Sequence, residues 1–172
     1  MHWLARFFVI TAACGMGGFS AAGELPSEER LKAGFLGNFI QFTRWPGNPT
    51  SIVICGLDSR PEGDPLAQLN VAERSRPMLI VRRVKSVADL HGCQAFYLDS
   101  ANAARLPGLL AAAAGQSLLI VTEFDSGAPL GATLSLVTTG GGRFGFDVNL
   151  TAARASGLDI NARLLQLARR VY

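Results

Sequence analysis

Four short runs rich in branched apolar residues, each separated from the next by a turn or a helical stretch, constrain this chain more than any other feature. They are Ser51 to Cys55 (SIVIC), Pro77 to Val84 (PMLIVRRV), Ala95 to Leu98 (AFYL) and Ser117 to Thr122 (SLLIVT). Runs that are apolar on both faces suit strands covered on both sides, which is the setting of a parallel sheet. Between them, Pro65 to Asn70 reads as a short helix, Val87 to Leu90 as a helical turn, and the alanine-rich Asn102 to Ala114 as a helix that Gly115 closes. Alternation of this kind predicts a mostly parallel or mixed sheet with helices on both faces.

The ends of the chain frame that unit. Ser27 can cap a helix whose first turn carries Glu28 and Glu29, and Leu31, Phe35, Phe39 and Phe42 recur at helical spacing. Trp45-Pro46 stops it, because a residue before proline disfavours the α region. Toward the C-terminus, Ala132 to Thr138 and Arg143 to Leu150 are extended runs joined by Thr139-Gly140-Gly141-Gly142. Phe144, Phe146 and Val148 then share one face, which predicts a β-hairpin. Thr151 to Ala155 forms a helix stopped by Gly157. Asn161 caps a last helix, Ala162 to Val171, with Leu164, Leu165, Leu167, Ala168 and Val171 facing inward. The expected fold is therefore a single α/β domain with a C-terminal β-hairpin.

At 172 residues, 49% hydrophobic and 17% charged, the chain suffices for one such domain and does not resemble a disordered one. The net charge of +3 is scattered, with Arg82-Arg83-Lys85 and Arg169-Arg170 as its densest groups. No basic run of the kind a nucleic-acid footprint needs is present.

Met1 to Arg6 carries one positive charge, Phe7 to Ala13 is an unbroken apolar run, and Ser20-Ala21-Ala22 fits the small-x-small rule for leader cleavage. Residues 1–22 read as a signal peptide and residues 23–172 as the exported domain; the apolar run is too short for a membrane span. Thr11-Ala12-Ala13-Cys14 resembles a lipoprotein box but lacks the large aliphatic residue three positions before the cysteine, so lipidation at Cys14 is the lesser reading. Export leaves Cys55 and Cys93. An oxidising compartment favours a disulfide between them, and two buried free thiols are the alternative.

Chemistry-bearing constellations are sparse. Past His2, only His91 remains, so a serine or cysteine nucleophile has one candidate base, and neither Cys nor His clusters at zinc spacing. A His91–Cys93 pair is conceivable, but a loop histidine without a role is the simpler reading. Gly140-Gly141-Gly142-Arg143 could present N–H groups to an anion, yet no Walker lysine follows and a hairpin turn accounts for the glycines. Asp58, Glu62 and Asp64 share a loop without EF-hand spacing. Glu123, Asp125, Asp147 and Asp159 are not paired by anything in the sequence. No cofactor is implied, and an enzyme is not expected. Phe35, Phe39, Phe42 and Trp45 form either the core face of the first helix or, in part, a surface on which Phe39, Phe42 and Trp45 bind a partner.

Several segments resemble one family in order along the chain. Lys32 to Phe39 (KAGFLGNF) with Phe42-Thr43-Arg44-Trp45-Pro46 is similar to the opening of the YfiR-like periplasmic proteins. So are Ile52 to Gly56 (IVICG), Gly92 to Leu98 (GCQAFYL) and Arg143 to Asn149 (RFGFDVN), followed by Ala152, Gly157-Leu158 and Arg163 to Ala168. The resemblance implies a periplasmic regulator that represses an inner-membrane diguanylate cyclase by binding its periplasmic sensor region. An outer-membrane lipoprotein relieves the repression, so that cyclic-di-GMP output and biofilm formation respond to the envelope. It also implies redox sensitivity, with Cys55 and Cys93 matching one of the family's cysteine pairs. The second pair, expected around residues 128–140, is absent, and Pro129-Leu130-Gly131 replaces a Gly-Gly pair. Another sensor with a periplasmic domain, or a second copy of the chain in a homodimer, is an alternative partner. A small-molecule binding module using the crevice at the strand ends is the rival function, and an exported hydrolase comes third.

Overall fold

The computed structural model describes residues 27–58, 64–69 and 77–172. The expected signal peptide, Cys14 and Glu62 lie outside them. No helix among the described residues is long and apolar enough to cross a membrane.

Helix α1 (Glu28–Gln41) starts where Ser27 Oγ accepts from the Arg30 amide. Then follow β1 (Thr43–Arg44), β2 (Ser51–Leu57), α2 (Pro65–Gln68), β3 (Met78–Val84) and β4 (Ala95–Leu98). A 3-10 helix (Ser100–Arg105) leads into α3 (Leu106–Ala113) and β5 (Leu119–Thr122). The chain ends with β6 (Leu134–Thr139), β7 (Arg143–Val148), α4 (Leu150–Ala155), β8 (Asp159–Ile160), α5 (Ala162–Leu167) and β9 (Arg170–Val171).

Seven strands form one mixed sheet in the order β3-β2-β4-β5-β6-β7-β9. The first five are mutually parallel, with Ile54 beside Ala95 and Val81, and Phe96 beside Ile120. The β6–β7 hairpin is antiparallel, pairing Leu136 with Phe146. Its turn needs glycine at Gly141 (φ 79°) and Gly142 (φ 71°), which occupy the left-handed region. Thr139 Oγ1 donates to the Arg143 carbonyl across it, so the triple-glycine run is a hairpin connection. Strands β1 and β8 pair separately, Thr43 with Ile160.

Alternation along the strands sorts side chains into two cores. Ile52, Ile54, Tyr97, Val121, Leu134, Phe146 and Val148 face α1, α2, α4 and α5. Cys55, Leu57, Phe96, Leu98 and Ile120 face Leu106 and Leu109 of α3 on the other side. Helices thus cover both faces, as the apolar runs required.

Two expectations change. The 102–114 helix divides into a 3-10 segment and α3: Asp99 caps the former through the Asn102 amide, and Pro107, with no N–H to donate, sits in the first turn of the latter. The last helix ends at Leu167 instead of Val171. Ala168 turns extended, and the Arg169 and Tyr172 amides donate to Phe146 and Val148 carbonyls, so the open edge of β7 captures the tail as a parallel strand. Leu164 is buried as expected. Leu167 and Val171 are not: they are 73% and 49% exposed.

Candidate functional site

The first strand of the main sheet, β2, has β3 on one side and β4 on the other, so the chain runs from β2 out to β3 and then crosses back past β2 to β4. In open parallel sheets the carboxyl ends of strands at such a reversal form a crevice that holds ligands. A crevice of about 320 Å³ lies there. Its walls come from the ends of β2 (Gly56, Leu57), β3 (Arg83), β4 (Tyr97, then Asp99) and β5 (Glu123), and from the first turns of α1 and α2.

The floor is an ionic network built from distant parts of the chain. Lys32, buried on α1, pairs with Glu28 one turn earlier (2.5 Å) and with Glu123 at the end of β5. Tyr97 Oη donates to the other Glu123 oxygen. Burial alone would lower the Lys32 pKa, but the Glu123 and Glu28 carboxylates together hold it above the ordinary lysine value. Burial first, and then the Glu123 charge, push the Tyr97 phenol well above its usual range, so it stays a proton donor. On the opposite wall Arg83 pairs with Asp64, which also caps α2 by accepting from the Leu66 amide at 2.9 Å. Gly56 is required between them: a Cβ there would stand 2.5 Å from Leu66 Cδ1. The arrangement can bind and orient a polar molecule. Both cations are already neutralised by carboxylates, and the histidine candidate is elsewhere.

The residues singled out from sequence fall in other places. Cys55 and Cys93 form a disulfide, with S–S 2.06 Å and Cα–Cα 5.8 Å, tying β2 to the turn before β4. Cys93 is therefore committed, and the imagined His91–Cys93 pair does not form. His91 contributes its carbonyl oxygen to Arg82, whose guanidinium also lies 3.0 Å from Cys93 Sγ. Asp58 is exposed, while Asp64 belongs to the crevice. Asp125 and Asp147 share Arg169, each at 3.3 Å, and Asp159 faces Arg44 at the surface.

The aromatic stripe is core. Phe39 has no exposed surface and packs edge-on against Phe146 at 5.1 Å, and Phe35 joins them from 6.0 Å. Trp45 is 7% exposed and its Nε1 donates to the Gln94 carbonyl at 3.1 Å. Only Phe42 of the three candidate partner residues keeps partial exposure. A partner surface on Phe39 and Trp45 is corrected accordingly: the helix turns its stripe toward the hairpin, where burying rings stabilises the fold most.

Sequence reasoning placed a crevice at the strand ends and singled out Asp64 and Glu123 without assigning either to it, but it missed Lys32, Tyr97 and Asp99 as site residues. The signal was present, since Asp99 and Glu123 each follow immediately on the last residue of a predicted strand. Lys32 lies 91 residues from Glu123, and nothing local joins them.

No curated protein matches the chain. Among solved structures it is similar to a conserved domain protein from Vibrio cholerae O1 biovar El Tor, with 15% identity and a TM-score of 0.56. It is also similar to an ABC domain in complex with L-Trp from Streptococcus pneumoniae, with 13% identity and a TM-score of 0.58. Either match covers 84% of this chain and 60% of the other, so the chain spans about three-fifths of the length of these neighbours, and the likeness is one of fold. The family model described as YfiR/HmsC-like (DUF4154) matches residues 29–169, from the first turn of α1 to the edge of β9. The chain belongs to the YfiR/HmsC-like family.

Proposed function

We propose that this protein is exported by its N-terminal signal peptide. In the periplasm it lowers cyclic-di-GMP output by binding the periplasmic sensor region of an inner-membrane diguanylate cyclase. The observation that carries the reading is the family match, which runs through every layer of the domain instead of one motif. The protein acts by association, without turnover, and an outer-membrane lipoprotein that sequesters it is the expected antagonist. Interferometry between the exported chain and the periplasmic domains of the same organism's membrane cyclases tests this. Saturable binding to one of them, weakened by reduction of Cys55–Cys93, is expected. Absence of binding to all of them, oxidised or reduced, would refute it.

One observation favours a second reading, in which the domain also holds a small molecule: the polar crevice occupies the place where open parallel sheets bind ligands. The Streptococcus pneumoniae neighbour was solved with an amino acid bound, which supports looking for a metabolite here. Ligand-dependent rises in melting temperature test it.

A further inference from the structure

Two successive arginines on β3 point to opposite faces of the sheet and differ in their partners. Arg83 turns to the crevice, where Asp64 neutralises it. The β2–β3 register sets Arg82 beside Cys55. Its Nη2 donates to the His91 carbonyl and lies 3.0 Å from Cys93 Sγ. Among the described residues no carboxylate pairs with Arg82, and its buried Nε has no acceptor. A disulfide sulfur is a weak acceptor and brings no charge, so this half-buried cation stands without a counter-ion.

Reduction of the disulfide supplies one. A guanidinium in contact with a cysteine sulfur favours the thiolate, whereas burial among apolar groups favours the thiol. Cys55 has no exposed surface, while Cys93 keeps 8% of its own and carries the Arg82 contact. Leu57, Val84, Leu90, Phe96, Leu106 and Leu109 share a cluster with both sulfurs and bring no charge to them. On the turn before β4 the side chains of Asp89 and His91 are exposed, and the Asp89 carbonyl stands farther from Cys93 Sγ, at 3.9 Å. A thiolate at Cys93 would meet the Arg82 charge directly and give the idle Nε donor an anion to serve.

We infer that Arg82 is the built-in counter-ion of a Cys93 thiolate, so that reduction of the Cys55–Cys93 bond leaves Cys93 ionised and Cys55 protonated near neutral pH. With a dithiol as reductant, the protein S–S bond breaks as the S–S bond of the reductant's cyclic disulfide forms. Two electrons pass to the cysteines. Of the dithiol's two protons, one goes to Cys55 and the other to solvent. Rising pH therefore favours reduction through the neutral range, and Cys93 is the sulfur left reactive toward electrophiles.

Equilibration of the exported chain, whose cysteines are Cys55 and Cys93, with dithiothreitol between about pH 6 and pH 8 tests this. Release of one proton per bond reduced should raise the equilibrium constant about tenfold per pH unit. Arg82→Met should flatten that dependence, because an ordinary cysteine stays protonated below about pH 8.5. In Cys55→Ala, where Cys93 is the single thiol, ultraviolet thiolate absorbance should titrate about one pH unit or more below the same thiol unfolded in urea. Adding Arg82→Met should remove that difference. Brief alkylation of the reduced wild type at neutral pH, mapped by mass spectrometry, should label Cys93 before Cys55. A pH-independent equilibrium in the wild type, a label that falls first on Cys55, or a Cys93 titration that Arg82→Met leaves unchanged would each overturn the assignment. The wild-type equilibrium and labelling involve no substitution, so they decide whether the thiolate forms even where a variant fails to fold.

Discussion

Breaking the Cys55–Cys93 bond has a consequence that can be worked from the chain. The bond closes a loop with a sequence separation of 38. In the chain-entropy treatment a closed loop of that length removes about 13 cal/mol/K from the unfolded ensemble, or about 4 kcal/mol at room temperature. A domain of roughly 140 residues unfolds with an entropy near 0.3 kcal/mol/K, so the melting temperature should fall by about 13 °C. Two forms separate the cross-link from the sulfur atoms themselves: wild type reduced under denaturing conditions and refolded in reductant, and Cys55→Ala/Cys93→Ala. Cys55 is fully buried, so the alanine form also loses core packing and should be the less stable of the two. Thermal melts of the oxidised, reduced and alanine forms measure the differences, and the alanine form should be indifferent to reductant. A reduced protein melting within about 4 °C of the oxidised one would refute the reasoning, since it would mean that the bond does not restrict the unfolded chain as its loop length requires.

Other sites give sharp expectations. Phe39→Ala empties the ring cluster between α1 and the hairpin and should cost about 3–5 kcal/mol in a urea melt; a loss under about 1 kcal/mol would return Phe39 to the surface. Gly127→Ala should destabilise strongly and expose the 123–131 loop to proteolysis, because a Cβ there would lie 1.9 Å from Thr122 Oγ1 and 2.7 Å from Ser135 Oγ; unchanged stability would mean that the loop does not sit on that polar row. Tyr97 and Lys32 both hold their protons more tightly folded than unfolded. Above about pH 10 the unfolded chain therefore loses protons that the folded one keeps, and stability, intact below that pH, should fall as pH rises. Melting temperatures between neutral and alkaline pH should show the decline, less steep in Tyr97→Phe; an equal slope in that variant would contradict the assignment.

The fold was legible where burial is set locally. SIVIC, AFYL and SLLIVT have no polar face to offer water, so they could only be interior strands, and the alternation of Phe144, Phe146 and Val148 set which side of the hairpin meets α1. The tail was not legible. Its leucines repeat at helical spacing, but the free edge of β7 offers Ala168 to Tyr172 backbone hydrogen bonds that outcompete one more helical turn, and long-range pairing leaves no local trace. The β1–β8 pair escaped notice for the same reason, being two residues long on each side. In the site, the rule for parallel sheets gave the location, whereas the Glu28–Lys32–Glu123–Tyr97 network depends on three separate segments meeting. The aromatic stripe shows the converse: sequence revealed a contiguous apolar face, and only packing could say that the hairpin covers it.

The central claim is that this family member restrains cyclic-di-GMP synthesis from the periplasm, and the cellular level of that nucleotide tests it most directly. Removing the gene should raise cyclic-di-GMP and biofilm mass, and restoring the full chain should return both to the starting level, whereas a form lacking residues 1–22 should not. An unchanged nucleotide level in the deletion strain, with the protein shown to be expressed in the parent, would contradict the account.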